Sequence, residues 1–207
     1  MNLEDAFVQF LIESGYPVIP SELMGYAQED QHGGRDTGEY PIEVSINQDE
    51  GRFLYALIRL LKPERSIEIG CADGCSAVHM LEALRKNEFG ELVSFDINPN
   101  SGRMVTNELR DRWQLVIGDA TVYPLPSADF IFEDGDHSYL STRIILEKLK
   151  LLNPKIIVSH DYFRHIYDPN VGVKQAFDEV FPDGFSIWFS GTKTGLGIWV
   201  NPNRTLR

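Results

Sequence analysis

Cysteine is nearly absent from this chain. Its 207 residues include two, Cys71 and Cys75, too few for a disulfide scaffold and too few for a four-ligand structural zinc site. Basic residues are scarce as well: 19 Lys and Arg face 31 Asp and Glu, a formal net charge of −12. That deficit argues against a nucleic-acid binder, which needs a basic face for the phosphate backbone. It argues equally against docking on an anionic membrane surface. No apolar run approaches the roughly 20 residues of a membrane span. The start, Met1-Asn2-Leu3-Glu4-Asp5, has neither the basic residues nor the apolar stretch of a signal peptide. Internal repeats and low-complexity tracts are missing too. The expectation left is a reduced, cytoplasmic protein with no nucleic-acid and no membrane partner.

What remains is ordinary globular material, 43% hydrophobic and 24% charged. The length suits one domain, or one domain with an appendage, and is enough to bury a core. Residues 3–14 have apolar side chains at helical spacing, at Leu3, Phe7, Phe10 and Leu11, and Ser14-Gly15 can stop that helix. Residues 15–47 include the polar, Gly-containing stretch Gln28–Asp36 and are read as a mobile loop, a lid in the sharper reading. Residues 1–47 thus form an N-terminal helix-and-loop appendage to a domain over 48–207.

From residue 48 a regular alternation begins. Helices are expected over 50–61, 76–86, 102–111, 138–152 and 172–181. Strands are expected over 66–69, 92–96, 114–117, 128–132, 156–159, 185–189 and 196–200. The fold class is therefore α/β: a Rossmann-like, doubly wound, mostly parallel sheet of about seven strands. The last two strands lack a helix between them and should close it as an antiparallel hairpin.

In such sheets ligands bind outside the carboxyl ends of the strands. The first loop there is Glu68-Ile69-Gly70-Cys71-Ala72-Asp73-Gly74-Cys75-Ser76. Small residues at Gly70, Ala72 and Gly74 admit a ligand close to the backbone, and the following helix offers free amides to an anion. A dinucleotide fingerprint would place a third glycine at Cys75; its absence, with the closing hairpin, opposes an NAD-type oxidoreductase. Asp96, ending the second strand, can accept from ribose hydroxyls. Asp119, in Gly118-Asp119-Ala120, can accept from an adenine amino group or serve as a turn cap.

These residues resemble a known family. Ile67–Ser76 is similar to motif I of the class I S-adenosylmethionine (SAM) methyltransferases, with Ala72 in place of the middle glycine, and Asp96 and Asp119 match the ribose and adenine acids. Glu50-Gly51-Arg52-Phe53-Leu54 resembles the helix before motif I in caffeoyl-CoA O-methyltransferases. Glu68-Ile69-Gly70 followed by Gly74-Cys75-Ser76-Ala77-Val78-His79-Met80 resembles the catechol O-methyltransferases. The resemblance spans roughly residues 45–200. It implies SAM as cofactor, held by Glu68, Gly70, Ala72, Gly74, Ser76, Asp96, Asp119, Ala120 and Asp134, with Ser76 at the methionine carboxylate.

Two further strand-end loops carry acids and imidazoles: Glu133-Asp134-Gly135-Asp136-His137 and Ser159-His160-Asp161. Oxygen donors from neighbouring loops suit a hard divalent cation such as Mg²⁺. The pattern resembles the metal-dependent sugar and macrolide O-methyltransferases of the cephalosporin-hydroxylase-like group. That resemblance implies Asp134 and Asp161 as metal ligands and His137 as general base. His160 departs from the family's acid; as a third ligand it would tilt the site toward Mn²⁺, Fe²⁺ or Zn²⁺. The expected reaction is methyl transfer to a hydroxyl of a small-molecule acceptor. Asp161–Gly172, unusually aromatic, is the expected acceptor pocket together with residues 15–47. A metal-independent O- or N-methyltransferase and a non-catalytic SAM-binding protein stay open, as does a homodimer. His32, His79 and His165 are given no functional role.

Overall fold

The structure, a computed structural model, describes residues 1–30 and 46–204. Helix α1 (Leu3–Ser14) is capped by the Asn2 side chain and ended by Gly15 in the left-handed conformation. Helix α2 (Pro20–Glu29) follows. Helix α3 (Gln48–Leu61) opens on a capping box between Asn47 and Glu50. Then come β1 (Arg65–Ile69), α4 (Cys75–Asn87), β2 (Glu91–Asp96), β3 (Trp113–Ile117), β4 (Phe130–Glu133), α5 (Tyr139–Leu151) and β5 (Ile156–Ser159). The chain closes with α6 (Val173–Val180), β6 (Phe185–Ile187) and β7 (Leu196–Val200).

The strands form one seven-stranded sheet in the order β3-β2-β1-β4-β5-β7-β6. The first five are mutually parallel, and β7 runs antiparallel to both β5 and β6. Side chains alternate between faces as the pleat requires. On β4, Phe130 and Phe132 pack with α1–α4 while Ile131 packs with α5 and α6. Both faces are covered, which is why the central strands read as continuous apolar runs.

Two sequence expectations need correcting. Residues 20–29 are helix, not loop: Pro20 opens α2, and Leu23 and Ala27, one turn apart, are buried in the cluster that holds Phe7, Phe10 and Phe53. Five polar or glycine residues between and around them dilute the periodicity. Residues 31–45, which carry His32 and part of the expected lid, lie outside the described residues. The helix expected over 102–111 is a turn followed by a short 3-10 segment, Asn107–Arg112. The amides of Gly102 and Met104 donate to the carbonyls of Ala72 and Asp73 at 2.7 and 2.9 Å, so they are spent on the Gly turn rather than on a helix.

Candidate active site at the strand ends

The sheet register brings the candidate loops to one edge. Ile69 pairs with Phe95 and with Glu133, Asp96 with Ile117, and Glu133 with Ser159. The loops leaving β1, β2, β3, β4 and β5 therefore emerge side by side.

The Gly turn is held from two sides. Gly70 has φ +81° and donates to the Phe95 carbonyl at 2.9 Å, while the Asp134 amide donates to the Ile69 carbonyl at 2.8 Å. Ala72 sits in the left-handed region at φ +45°, the conformation that favours glycine. Asp96 Oδ2 accepts the amides of Cys71 and Ala72 at 2.9 and 2.8 Å, and Oδ1 accepts the Asn98 amide at 2.8 Å. A carboxylate offers about four acceptor positions, so Asp96 both shapes the turn and keeps acceptor capacity on Oδ1. Asp119 is exposed, and its Oδ1 accepts the Thr121 amide and hydroxyl at 2.8 and 2.7 Å. Those hydrogen bonds hold its pKa below the ordinary value. The turn-cap role of Asp119 is thus realised.

Glu68 and Ser76, expected at the cofactor, face inward instead. Glu68 is fully buried and accepts the hydroxyls of Ser76 and Ser94 at 2.5 Å each, and Trp113 Nε1 donates to Ser94 Oγ at 2.9 Å. The Ser76 hydroxyl proton is committed to Glu68; what α4 offers an anion is its backbone. Burial pushes the Glu68 carboxyl up to about 7 against the two serine hydrogen bonds. Glu133, buried under Ser159 and the Gly135 amide, is pushed to about 7 in the same way. Both folded values lie above the ordinary 4.5. The stability this neutral burial contributes is complete below pH 4.5 and lost as pH rises through 7, about 3 kcal/mol per group. Glu68→Gln should therefore lose about 3 kcal/mol less than wild type between pH 4.5 and pH 8, as read by urea denaturation at each pH. An identical loss in both proteins would contradict the buried-acid account.

Beyond the Gly turn lies a cluster of acids and imidazoles. Asp134, His137 and Asp161 each offer one donor atom within 4.8 Å of the others. His137 Nε2 is 2.8 Å from Asp161 Oδ2 and 3.4 Å from Asp134 Oδ1. Arg164 Nη1 also reaches Asp161 Oδ2, at 3.1 Å. Burial opposes a proton on His137, but the hydrogen bonds and charges of Asp134 and Asp161 outweigh it and push the pKa up to about 10. Asp134, which burial would raise, is drawn down to about 2 by the His160 charge and by hydrogen bonds from both imidazoles. His160, expected as a third ligand, borders the cluster from its buried side, with Nδ1 also 3.8 Å from Asp161 Oδ1. It is 1% exposed, with Nδ1 3.1 Å from Asp134 Oδ1 and Nε2 3.3 Å from Glu50 Oε2.

Two features of Asp161 fit a cation. Its Oδ1 is buried without a hydrogen-bond partner, 3.8 Å from His160 Nδ1, and so keeps lone pairs for a cation. Its backbone is left-handed at φ +58°, strain of the kind that concentrates at functional sites. The two carboxylates supply oxygen donors of the kind Mg²⁺ or Mn²⁺ takes.

Residues 67–162 match the family model of a methyltransferase domain. The solved O-methyltransferase TomG of Streptomyces achromogenes, in complex with SAM, superposes with a TM-score of 0.61 at 22% identity, covering 96% of each chain. The O-methyltransferase of Bacillus cereus in complex with S-adenosylhomocysteine (SAH) gives 0.62 at 17% identity, over 93% of this chain and 96% of that one. The SAH-bound methyltransferase PaMTH1 of Podospora anserina gives 0.58 at 20% identity, over 87% and 94%. This is the fold of a class I methyltransferase. A comparison with curated protein sequences gives no match, and among the described residues no helix is long and apolar enough to cross a membrane.

On this methyltransferase fold, two features escaped the sequence reading. Ile97, directly after Asp96, is 76% exposed, and Val122 and Tyr123 are exposed beside Asp119. An apolar residue following a strand-end acid was the available signal. The segment 161–172 divides: Tyr162 is buried against Phe177, whereas Ile166 and Tyr167 are exposed. Phe163 stacks on Trp188 of the β6–β7 loop, with ring centroids 5.0 Å apart.

Proposed function

We propose that this chain is a SAM-dependent O-methyltransferase that acts on a hydroxyl of a small molecule. The observation carrying the proposal is the alignment of the Gly turn, Asp96, Asp119 and the Asp134–His137–Asp161 cluster along one sheet edge. In this reading Asp96 Oδ1 accepts from the ribose, and Ile97 and Val122 offer apolar surface to the purine. The open backbone of Gly70–Gly74 and the start of α4 receive the methionine portion. The acceptor lies against Phe163, Trp188 and Tyr167, with its hydroxyl at the cluster.

Methyl transfer from a sulfonium needs an aligned and deprotonated oxygen, because the donor is already activated. His137, about one third exposed, takes the hydroxyl proton as general base. Asp134 and Asp161 orient its ring and hold a divalent cation. When bound, that cation offsets the two carboxylates that otherwise keep the proton on His137, and it polarises the acceptor hydroxyl. A metal-free reading has one observation in its favour: His137, His160 and Arg164 already balance Glu50, Asp134 and Asp161.

The cofactor half is tested first. SAH at about 100 times its dissociation constant should stabilise the protein by about 2.7 kcal/mol, a melting shift of roughly 5–10 °C for a chain of this size. Asp96→Ala should weaken SAH by about 10- to 100-fold, since a charged acceptor of ribose and turn amides is lost. Unchanged affinity in calorimetry would remove Asp96 from the site.

A further inference from the structure

Behind the reacting cluster stands a further carboxylate that the reaction does not touch. Glu50, on the first turn of α3, is fully buried. Its Oε1 accepts the Thr194 hydroxyl at 2.8 Å and the Gly195 amide at 3.1 Å, and its Oε2 accepts the Asn47 amide at 3.0 Å. The same Oε2 lies 3.3 Å from His160 Nε2. A helix cap contributes only about 1 kcal/mol and works at the surface, so capping alone does not explain a carboxylate removed from water.

The His160 ring is held at both nitrogens. Nε2 faces Glu50, and Nδ1 faces Asp134 Oδ1 at 3.1 Å, which in turn stands 3.4 Å from His137 Nε2. A ring rotation would break both contacts at once. The path Glu50–His160–Asp134–His137 therefore runs from a helix outside the strand–helix alternation to the most open member of the cluster. Glu50 also fastens the β6–β7 loop through Thr194 and Gly195, and that loop bears Trp188 at its start.

We propose that Glu50 is a positioning residue of the active site: it fixes the His160 ring and, through it, aims the Asp134 carboxylate at His137 and Asp161. This rests on reading Asp134, His137 and Asp161 as the reacting end.

The test uses Glu50→Gln in the full chain, a substitution of the same shape. Three quantities are read: SAH affinity by calorimetry, Mn²⁺ affinity by electron paramagnetic resonance, and the ¹⁵N signals of the His137 ring. The expected result is native SAH affinity, Mn²⁺ binding weakened about 10- to 100-fold, and shifted His137 signals, although Glu50 does not touch His137. A folded variant with native Mn²⁺ affinity and native His137 signals overturns the proposal. If the wild type takes up no Mn²⁺, the cation in the proposed function fails, and the His137 signals alone decide the positioning role. If Glu50→Gln does not fold, His160→Gln cuts the same path: shifted His137 signals support the proposal and unshifted ones overturn it.

Discussion

Gly70→Ala is expected to abolish measurable SAH binding and to destabilise the protein by about 3 kcal/mol or more. A Cβ at this position would lie 2.0 Å from the Asp134 carbonyl oxygen, 2.6 Å from its carbon and 3.0 Å from Gly135 Cα. All three are backbone atoms, so no side chain can rotate away. Retreat is blocked as well, because the Gly70 amide is tied to Phe95 and the Asp134 amide to Ile69. The left-handed backbone at φ +81° adds its own penalty. Gly191→Ala separates the two terms: its φ is +84° but a Cβ there meets nothing within 4 Å, so it should cost only about 1 kcal/mol. Urea denaturation and calorimetry with SAH check both variants. Native SAH affinity in Gly70→Ala would mean that the Gly turn is not the cofactor cradle.

Asp134→Asn carries the second large effect. The carboxylate is ionised because His137 and His160 hold it so; an amide leaves two protonated imidazoles facing a neutral group. Methyl transfer, followed as SAH release over a panel of hydroxyl acceptors, should fall about 100-fold or more. SAH affinity should change less than in Asp96→Ala. A chelator should depress wild-type turnover, and added Mg²⁺ or Mn²⁺ should restore it. Full turnover in chelator would favour the metal-free reading, and full turnover in Asp134→Asn would sink the cluster as the reacting end.

How far the sequence could be read follows from the reach of each interaction. Strands such as Ile156–Ser159 announce themselves through consecutive apolar residues, because both sheet faces are covered. The strand-end acids Asp96, Asp134 and Asp161 were legible because the topology places every such loop on one edge. The arrangement within that edge was not. That the His160 ring reaches Glu50 with Nε2 while Nδ1 faces Asp134 rests on a contact between residues 110 positions apart, which no local spacing records. Ser76 looked like an anion donor at a helix start, but its partner Glu68 lies on the opposite side of the turn. Residues 102–111 failed for a similar reason: Val105 and Leu109 repeat at helical spacing, yet the neighbouring carbonyls of Ala72 and Asp73 take the amides a helix would need.

The sheet order has a consequence for synthesis on the ribosome. Strand β7 is made after β6 but lies between β6 and β5. The flank of β5, whose end leads into Asp161, therefore stays open as an unpaired edge until residue 200 has emerged. Until then that edge is a template for foreign strands, so a released chain truncated between residues 160 and 195 should aggregate, whereas the full chain, with β7 in place, should not.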